Sequence, residues 1–142
     1  MIFSFLMVLS RLFLPSNEPS TLTIRFENIR HTEGYMFVGI YEKADSWKAR
    51  LPEREINFEK HDLVNGTLTV TISDLKPGTY GLAVLDDANA NNVVDMGLIF
   101  PLEGFGFSNL DVRGFRVPDF EDFDFSYPQQ KNIVVKMRYL DF

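Results

Sequence analysis

The sequence predicts an all-β fold, an antiparallel β-sandwich with one short helix and a long Phe-rich loop. Three observations predict it: apolar side chains alternate cleanly with polar ones in several short segments, a Pro-Gly turn stands directly before one of them, and no long segment carries a helical period. At 142 residues the chain supports one hydrophobic core rather than two. The expected organisation is a single sandwich domain over residues 21–142, preceded by residues 1–20 as a signal peptide or an N-terminal tail and linker.

The elements follow in order. "TLTIRFEN" sets Leu22, Ile24 and Phe26 against Thr23, Arg25 and Glu27, the period of a half-buried strand. "NIRHTEG" reads as a turn, and "GYMFVGIYE" (Gly34 to Glu42) as a second strand with a less regular alternation. From Lys43 to Val64 the period fails. There "DSWKARLPERE" predicts a short helix capped by Asp45 or Ser46 and stopped by Pro52, followed by "EINFEKH" as an edge strand. "NGTLTVTISDL" alternates again, with Leu68, Val70 and Ile72 inward. "DLKPGTYGLAVLDD" then turns at Pro77-Gly78 into a strand of Tyr80, Leu82 and Val84. Tyr80 is expected to be buried at the corner, its hydroxyl returning to upstream backbone. The closing strand, "NIVVKMRYLDF", places Ile133, Val135, Met137 and Tyr139 on one face.

Composition excludes several functions. A net charge of -6 with no basic stripe opposes a phosphate backbone, so nucleic acid is not an expected partner. With no cysteine there is no disulfide framework, thiol nucleophile or zinc-thiolate site. The apolar run Ile2 to Leu9, interrupted only by Ser4, suits the core of a signal peptide and is too short to span a bilayer. Arg11 breaks it, and no small-x-small cleavage site stands near Ser16. Export to the periplasm, outer-membrane surface or exterior is the expectation carried forward; the alternative is a cytoplasmic tail packed on the domain.

Three motifs in sequence, "LKPGTYGLAVLDDANANNVVD", "EGFGFSN" and "FEDFDF", resemble the bacterial family catalogued as domain of unknown function 2141. The resemblance covers the chain from about Thr21 onward. It implies an exported protein with a transthyretin-like (prealbumin-like) or carboxypeptidase-regulatory-like sandwich. The chain departs from the family pattern at Asn92, where the polar loop commonly has Gly.

The polar loop is the stretch closest to chemistry. Counted from Asp87, side-chain or backbone oxygens recur at Asp87, Asn89, Asn91, the Val93 carbonyl and Asp95, the first part of an EF-hand-type calcium loop. Alternate residues of a curled loop aim oxygens at one centre, which suits a hard ion that takes six to eight of them. Glycine is absent at position six and glutamate at position twelve, which is Leu98, so a further ligand must come from Glu103, Asp86 or Asp111. Calcium is therefore the expected ion, and an oxygen-only donor set disfavours zinc or copper. The alternative is an Asx-rich turn whose side chains cap their own backbone.

"FPLEGFGFSNLDVRGFRVPDFEDFDF" carries Phe100, Phe105, Phe107, Phe115, Phe120, Phe123 and Phe125. These rings predict a satellite core lying over a sheet face; an exposed aromatic surface for a partner is the alternative. Arg113 and Arg116 are expected to pair with Asp119, Glu121 and Asp122. No catalytic residue is assigned. His31 and His61 stand in loops without triad or metal-ligand spacing, and the terminal "KMRYLDF" lacks the Tyr-Arg-Gly-Ser ending of transthyretin-like amide hydrolases. Gly104 and Gly106 lack the strand-to-helix context of a nucleotide site. The functional expectation is a non-catalytic accessory or binding module of the bacterial envelope, monomeric, without a membrane span, that meets an envelope protein or glycan. Its rival is a hydrolase using Glu103 or Asp95 as general acid or base in a cleft beside "EGFGFSN".

Overall fold

The computed structural model of the chain describes residues 20–90, 103–114 and 116–140. Among these, β1 (Leu22–Glu27), β2 (Tyr35–Tyr41), α1 (Ala44–Ala49), β3 (Arg54–Glu59), β4 (Leu68–Ile72), β5 (Gly78–Asp87), β6 (Gly104–Phe107), β7 (Asp124–Tyr127) and β8 (Asn132–Lys136) follow in order, with a 3-10 turn at Phe120–Asp122. The strands form two sheets, β4-β1-β8 and β3-β2-β5-β6, and β7 pairs with the first part of β5. The fold is mostly β and sandwich-like. One pairing departs from the antiparallel expectation: β8 lies parallel to β1, with Thr23 opposite Asn132 and Phe26 opposite Val135. Residues 1–19, the expected leader or tail, lie outside the described residues, as do Phe100 and Phe115.

The alternating rows build the core. Leu22, Ile24 and Phe26 of β1 are fully buried, and with Ile133 and Val135 of β8 they face Met36, Val38 and Ile40 of β2 and Leu82 and Val84 of β5. Each such side chain contributes about 1.5–3 kcal/mol through removal of apolar surface from water. The irregular alternation of β2 has a structural cause: Gly39 and Tyr41, on its other face, are buried too. A second cluster covers that face, made of Tyr41, Trp47, Phe107, Phe120 and Phe123.

Helix α1 delivers Trp47 to this cluster. The indole meets Tyr41, Phe107 and Phe123 edge-on at centroid distances of 5.1, 5.5 and 5.2 Å. Its Nε1–H donates to the Pro118 carbonyl at 2.8 Å, which satisfies the one polar atom of a buried ring. The predicted caps need correction. Lys43 occupies the N-cap position, and Ser46, inside the helix, donates its hydroxyl to Glu53 instead. The helix ends at Arg50, in left-handed conformation with φ 56°, ahead of Pro52. The Phe-rich stretch forms its satellite core as expected, but through β6 and the 3-10 turn rather than as one loop; Phe105 is half-buried, and Phe125 on β7 joins the main core. Tyr80 is buried, and its hydroxyl donates to the Lys76 carbonyl at 2.6 Å, closing the predicted corner.

Candidate functional site

The end of the sandwich where β5 enters the polar loop is held by a buried charge network. Asp86 continues the inward row of Tyr80, Leu82 and Val84 and is completely buried. One carboxylate oxygen pairs with the ammonium of Lys60, whose side chain is 2% exposed; the other accepts the Tyr139 hydroxyl. Lys60 also donates to the carbonyls of His31 at 2.9 Å and Glu33 at 2.6 Å, so the ammonium spreads its three protons over three acceptors. A buried charge pair is tolerable only when its remaining donors and acceptors are met in this way. The Tyr139 hydroxyl accepts the Arg30 amide at 3.0 Å, and the Arg30 guanidinium lies 4.6 Å from the ring centroid. Burial, then the Asp86 contact, push the Tyr139 phenol well above its usual range, so it stays a proton donor to Asp86.

This network bears on the candidate ligands. Both oxygens of Asp86, one of the candidate extra ligands, are engaged within the network. Asp111 is exposed and pairs with Lys136 at 3.4 Å and Arg113 at 3.5 Å. Glu103 stands differently. The β5–β6 ladder ends on the Asp86–Gly104 pair, so Asp87 and Glu103 are the next residues on the two strands and flank the mouth of the intervening segment. Both are buried, at 1% and 9% exposure. Beyond Asp87 the chain turns, the Ala90 amide donating to the Asp87 carbonyl at 3.3 Å, and Asn89 is exposed on this turn. Gly34 packs against the same point: at φ +74° it approaches so closely that a Cβ would stand 1.9 Å from the Asp87 carbonyl oxygen. Asn91, Val93 and Asp95 lie outside the described residues. Among the described residues no group of three or more His, Cys, Asp or Glu could hold a metal.

The segment "EGFGFSN", expected to wall a hydrolytic cleft, is packed. A Cβ on Gly104 would lie 2.3 Å from the Tyr139 ring, and one on Gly106 would lie 2.7 Å from Val135. Open grooves among the described residues include two away from this segment. One of about 530 Å³ is lined by Glu42, Glu53, Arg54, Asp74, Lys76 and Tyr80; another of about 520 Å³ runs between Trp47, Arg50, Val117 and Glu121. In the first, burial pushes Glu53 up, but the Ser46 hydroxyl and the Glu42 amide outweigh it and hold the carboxyl below its usual range. The Arg54 guanidinium does the same for Asp74 through a 2.9 Å hydrogen bond. Carboxyls shifted downward are poorly suited to donate a proton near neutral pH. His31 rests against the Tyr139 ring, and His61 is exposed beside Glu59. Arg116 pairs with Asp119 and Asp122 as expected, whereas Arg113 turns to Asp111.

Lys60 and Tyr139 were not singled out as site residues by sequence reasoning. The signal was parity: Lys60 follows Ile56 and Phe58, and Tyr139 follows Val135 and Met137, at steps of two.

Comparison with known proteins gives one match. The family model described as "Uncharacterized protein conserved in bacteria (DUF2141)" matches residues 24–136. No curated protein and no solved structure matches the chain.

Proposed function

Starting from the fact that the chain belongs to this DUF2141 family of bacterial proteins, we propose that it is a non-catalytic accessory or binding module of the bacterial cell envelope whose polar loop takes up calcium. The observation that carries the reading is the pair of buried carboxylates, Asp87 and Glu103, at the mouth of that loop. They lie side by side in the register at the ends of two paired strands, and carboxylate oxygens gathered at one place are ligands that a hard divalent cation prefers. Asn89, Asn91, the Val93 carbonyl and Asp95 would complete an all-oxygen shell. The packed Gly104 and Gly106 and the downward-shifted Glu53 and Asp74 favour a binding module over a hydrolase. Export and an envelope protein or glycan as partner belong to the same proposal.

With few formal charges and no glutamate at position twelve, affinity falls in the weak extracellular class, ~10⁻⁴–10⁻³ M. At about 2 mM calcium and a Kd of ~0.1 mM, mass action adds roughly 1.8 kcal/mol of stability. The melting temperature should then rise by about 5 °C with calcium and not with equal magnesium, which sheds its waters reluctantly. The Asp87→Asn/Asp95→Asn variant should lose that response and keep its fold. Absence of calcium heat in calorimetry, together with a melting curve indifferent to chelator, would reduce the loop to an Asx-rich turn. N-terminal sequencing of protein recovered from the periplasm tests export separately.

A further inference from the structure

We infer that the outer edge of β4 is a pairing surface for a second copy of this chain, joined antiparallel about a two-fold axis through Val70. The direction of the backbone groups comes first. The Thr23 amide bonds Lys131 and the Glu27 carbonyl takes the Met137 amide, so the odd-numbered residues of β1 turn toward the β8 side. Leu22, Ile24 and Phe26 therefore turn toward β4, where they stand opposite Ile72, Val70 and Leu68. Strand geometry then sends the N–H and C=O groups of Thr69 and Thr71 away from the sheet. Thr67 is already used, exchanging two 3.0 Å hydrogen bonds with Val64. Among the described residues the open edge is thus a short one whose outward groups belong to Thr69 and Thr71.

The edges of β8 and β3 are guarded. Along β8, Asn109 covers Val134: its amide donates to the Val134 carbonyl at 2.8 Å, and its side-chain oxygen accepts the Val134 amide at 3.2 Å. Along β3, exposed Arg54, Glu55 and Glu59 place charges on the edge, a common defence against unwanted pairing. The stretch "TLTVTIS" over residues 67–73 has no charge and no proline.

The same stretch is self-complementary. A two-fold axis at Val70 sets Thr69 against Thr71 and Leu68 against Ile72 of the second copy. The outward groups of Thr69 and Thr71 then become the hydrogen-bonded pairs, and Val70 meets its counterpart in a non-hydrogen-bonded pair. Cross-strand threonine pairs are favourable on an exposed face. Val70 adds an independent observation. It belongs to the inward row, yet it is only half-buried while Leu68 and Ile72 beside it are 2% and 3% exposed. A second copy would cover it and fuse the two three-stranded sheets into one. The monomer expected from sequence is replaced, in this inference, by a weak symmetric dimer.

The test uses the full chain. Sedimentation over a wide concentration range should show a reversible monomer–dimer equilibrium. Thr69→Lys/Thr71→Lys, which alters only exposed side chains, should raise the dissociation constant at least ~tenfold by setting like charges across the axis. Ser126→Lys/Gln129→Lys, adding the same charge at exposed positions elsewhere, should leave it unchanged. Because the chain has no cysteine, Val70→Cys offers a second readout. Non-hydrogen-bonded partners stand ~4.5 Å apart at Cα, within disulfide range, so mild oxidation should give a covalent dimer. Val134→Cys, on the covered edge, should not. A chain that stays monomeric at about 1 mM, with no Val70→Cys cross-link, overturns the inference. So does protection of the Thr69 and Thr71 amides from hydrogen exchange in dilute monomer, since a segment of the same chain would then cover the edge.

Discussion

The inward row of β5 has a polar group at each end, and the two ends are built on different principles. At the start, Tyr80 sends a neutral hydroxyl to a carbonyl four residues upstream, a contact within one turn. At the finish, Asp86 is a buried carboxylate met by Lys60 at a separation of 26 residues and by Tyr139 at 53. The first contact forms wherever the local chain folds. The second needs β3, β5 and the C-terminal strand to be in place together. A local neutral bond can be deleted at modest cost, whereas a charge assembled from three segments cannot lose one member without stranding another.

The largest effect should come from Lys60→Met, which leaves the buried Asp86 carboxylate without its cation. A loss of about 3–5 kcal/mol in urea unfolding is expected, and adding Asp86→Leu should restore much of it. A loss as small as that at Tyr80 would erase the contrast between the two ends. Next is Tyr139→Phe, expected to cost about 1.5–3 kcal/mol because the deleted hydrogen bond goes to a charged group. The phenol also gives a pH signature. Its folded pKa is raised by burial and by Asp86, so above about pH 10 the unfolded chain releases a proton that the folded one keeps. Stability should therefore fall as pH rises beyond that point, less steeply in Tyr139→Phe. Tyr41 and Tyr80 are raised as well, so the slope should shrink without vanishing.

The smallest effects separate two buried tyrosines. Tyr80→Phe should cost about 0.5–1.5 kcal/mol, the worth of one neutral hydrogen bond with the ring kept. The Tyr127 hydroxyl is buried with no hydrogen-bond partner among the described residues. Tyr127→Phe should therefore leave the unfolding midpoint unchanged or raise it, since it removes a polar atom that gains nothing from burial. If both variants lose equal stability, the Tyr80 corner is no more than ring packing.

What was legible in the sequence follows the same division. Rows with period two announced β1, β4, β5 and β8 with their inward faces, because alternation records burial residue by residue. The Tyr80 corner was legible because turn and acceptor lie within one motif. The parallel union of β8 with β1 was not, since alternation says which face is buried and nothing about which neighbour a strand takes. The rings of Phe107, Phe120 and Phe123 announced a satellite core but not the elements that carry it, because β6 is four residues and the 3-10 turn three. Lys60 and Asp86 were readable as inward positions, yet two charges ending separate rows become partners only once β2 lies between their strands. Of the calcium candidates, Asp87, Asn89 and Glu103 are placed; Asn91, Val93 and Asp95 fall outside the described residues.

Ser108 sits where β5 changes neighbours. Its ladder with β7 ends at Gly81 and that with β6 begins at Ala83; Leu82, between them, receives the Ser108 hydroxyl oxygen on its amide and gives its carbonyl to the Ser108 amide, both at 3.0 Å. The same hydroxyl donates to the Phe123 carbonyl at 2.5 Å, and the residue is fully buried. One small side chain thus splices two short strands into a continuous flank. The outer ends of that flank have latches of their own: Phe105 exchanges hydrogen bonds with Arg138, and Phe125 and Tyr127 are locked in the main core. Without the hydroxyl, the Leu82 amide and the Phe123 carbonyl would both lose a partner at a fully buried point, and only the bond from the Ser108 amide to the Leu82 carbonyl would still span the junction.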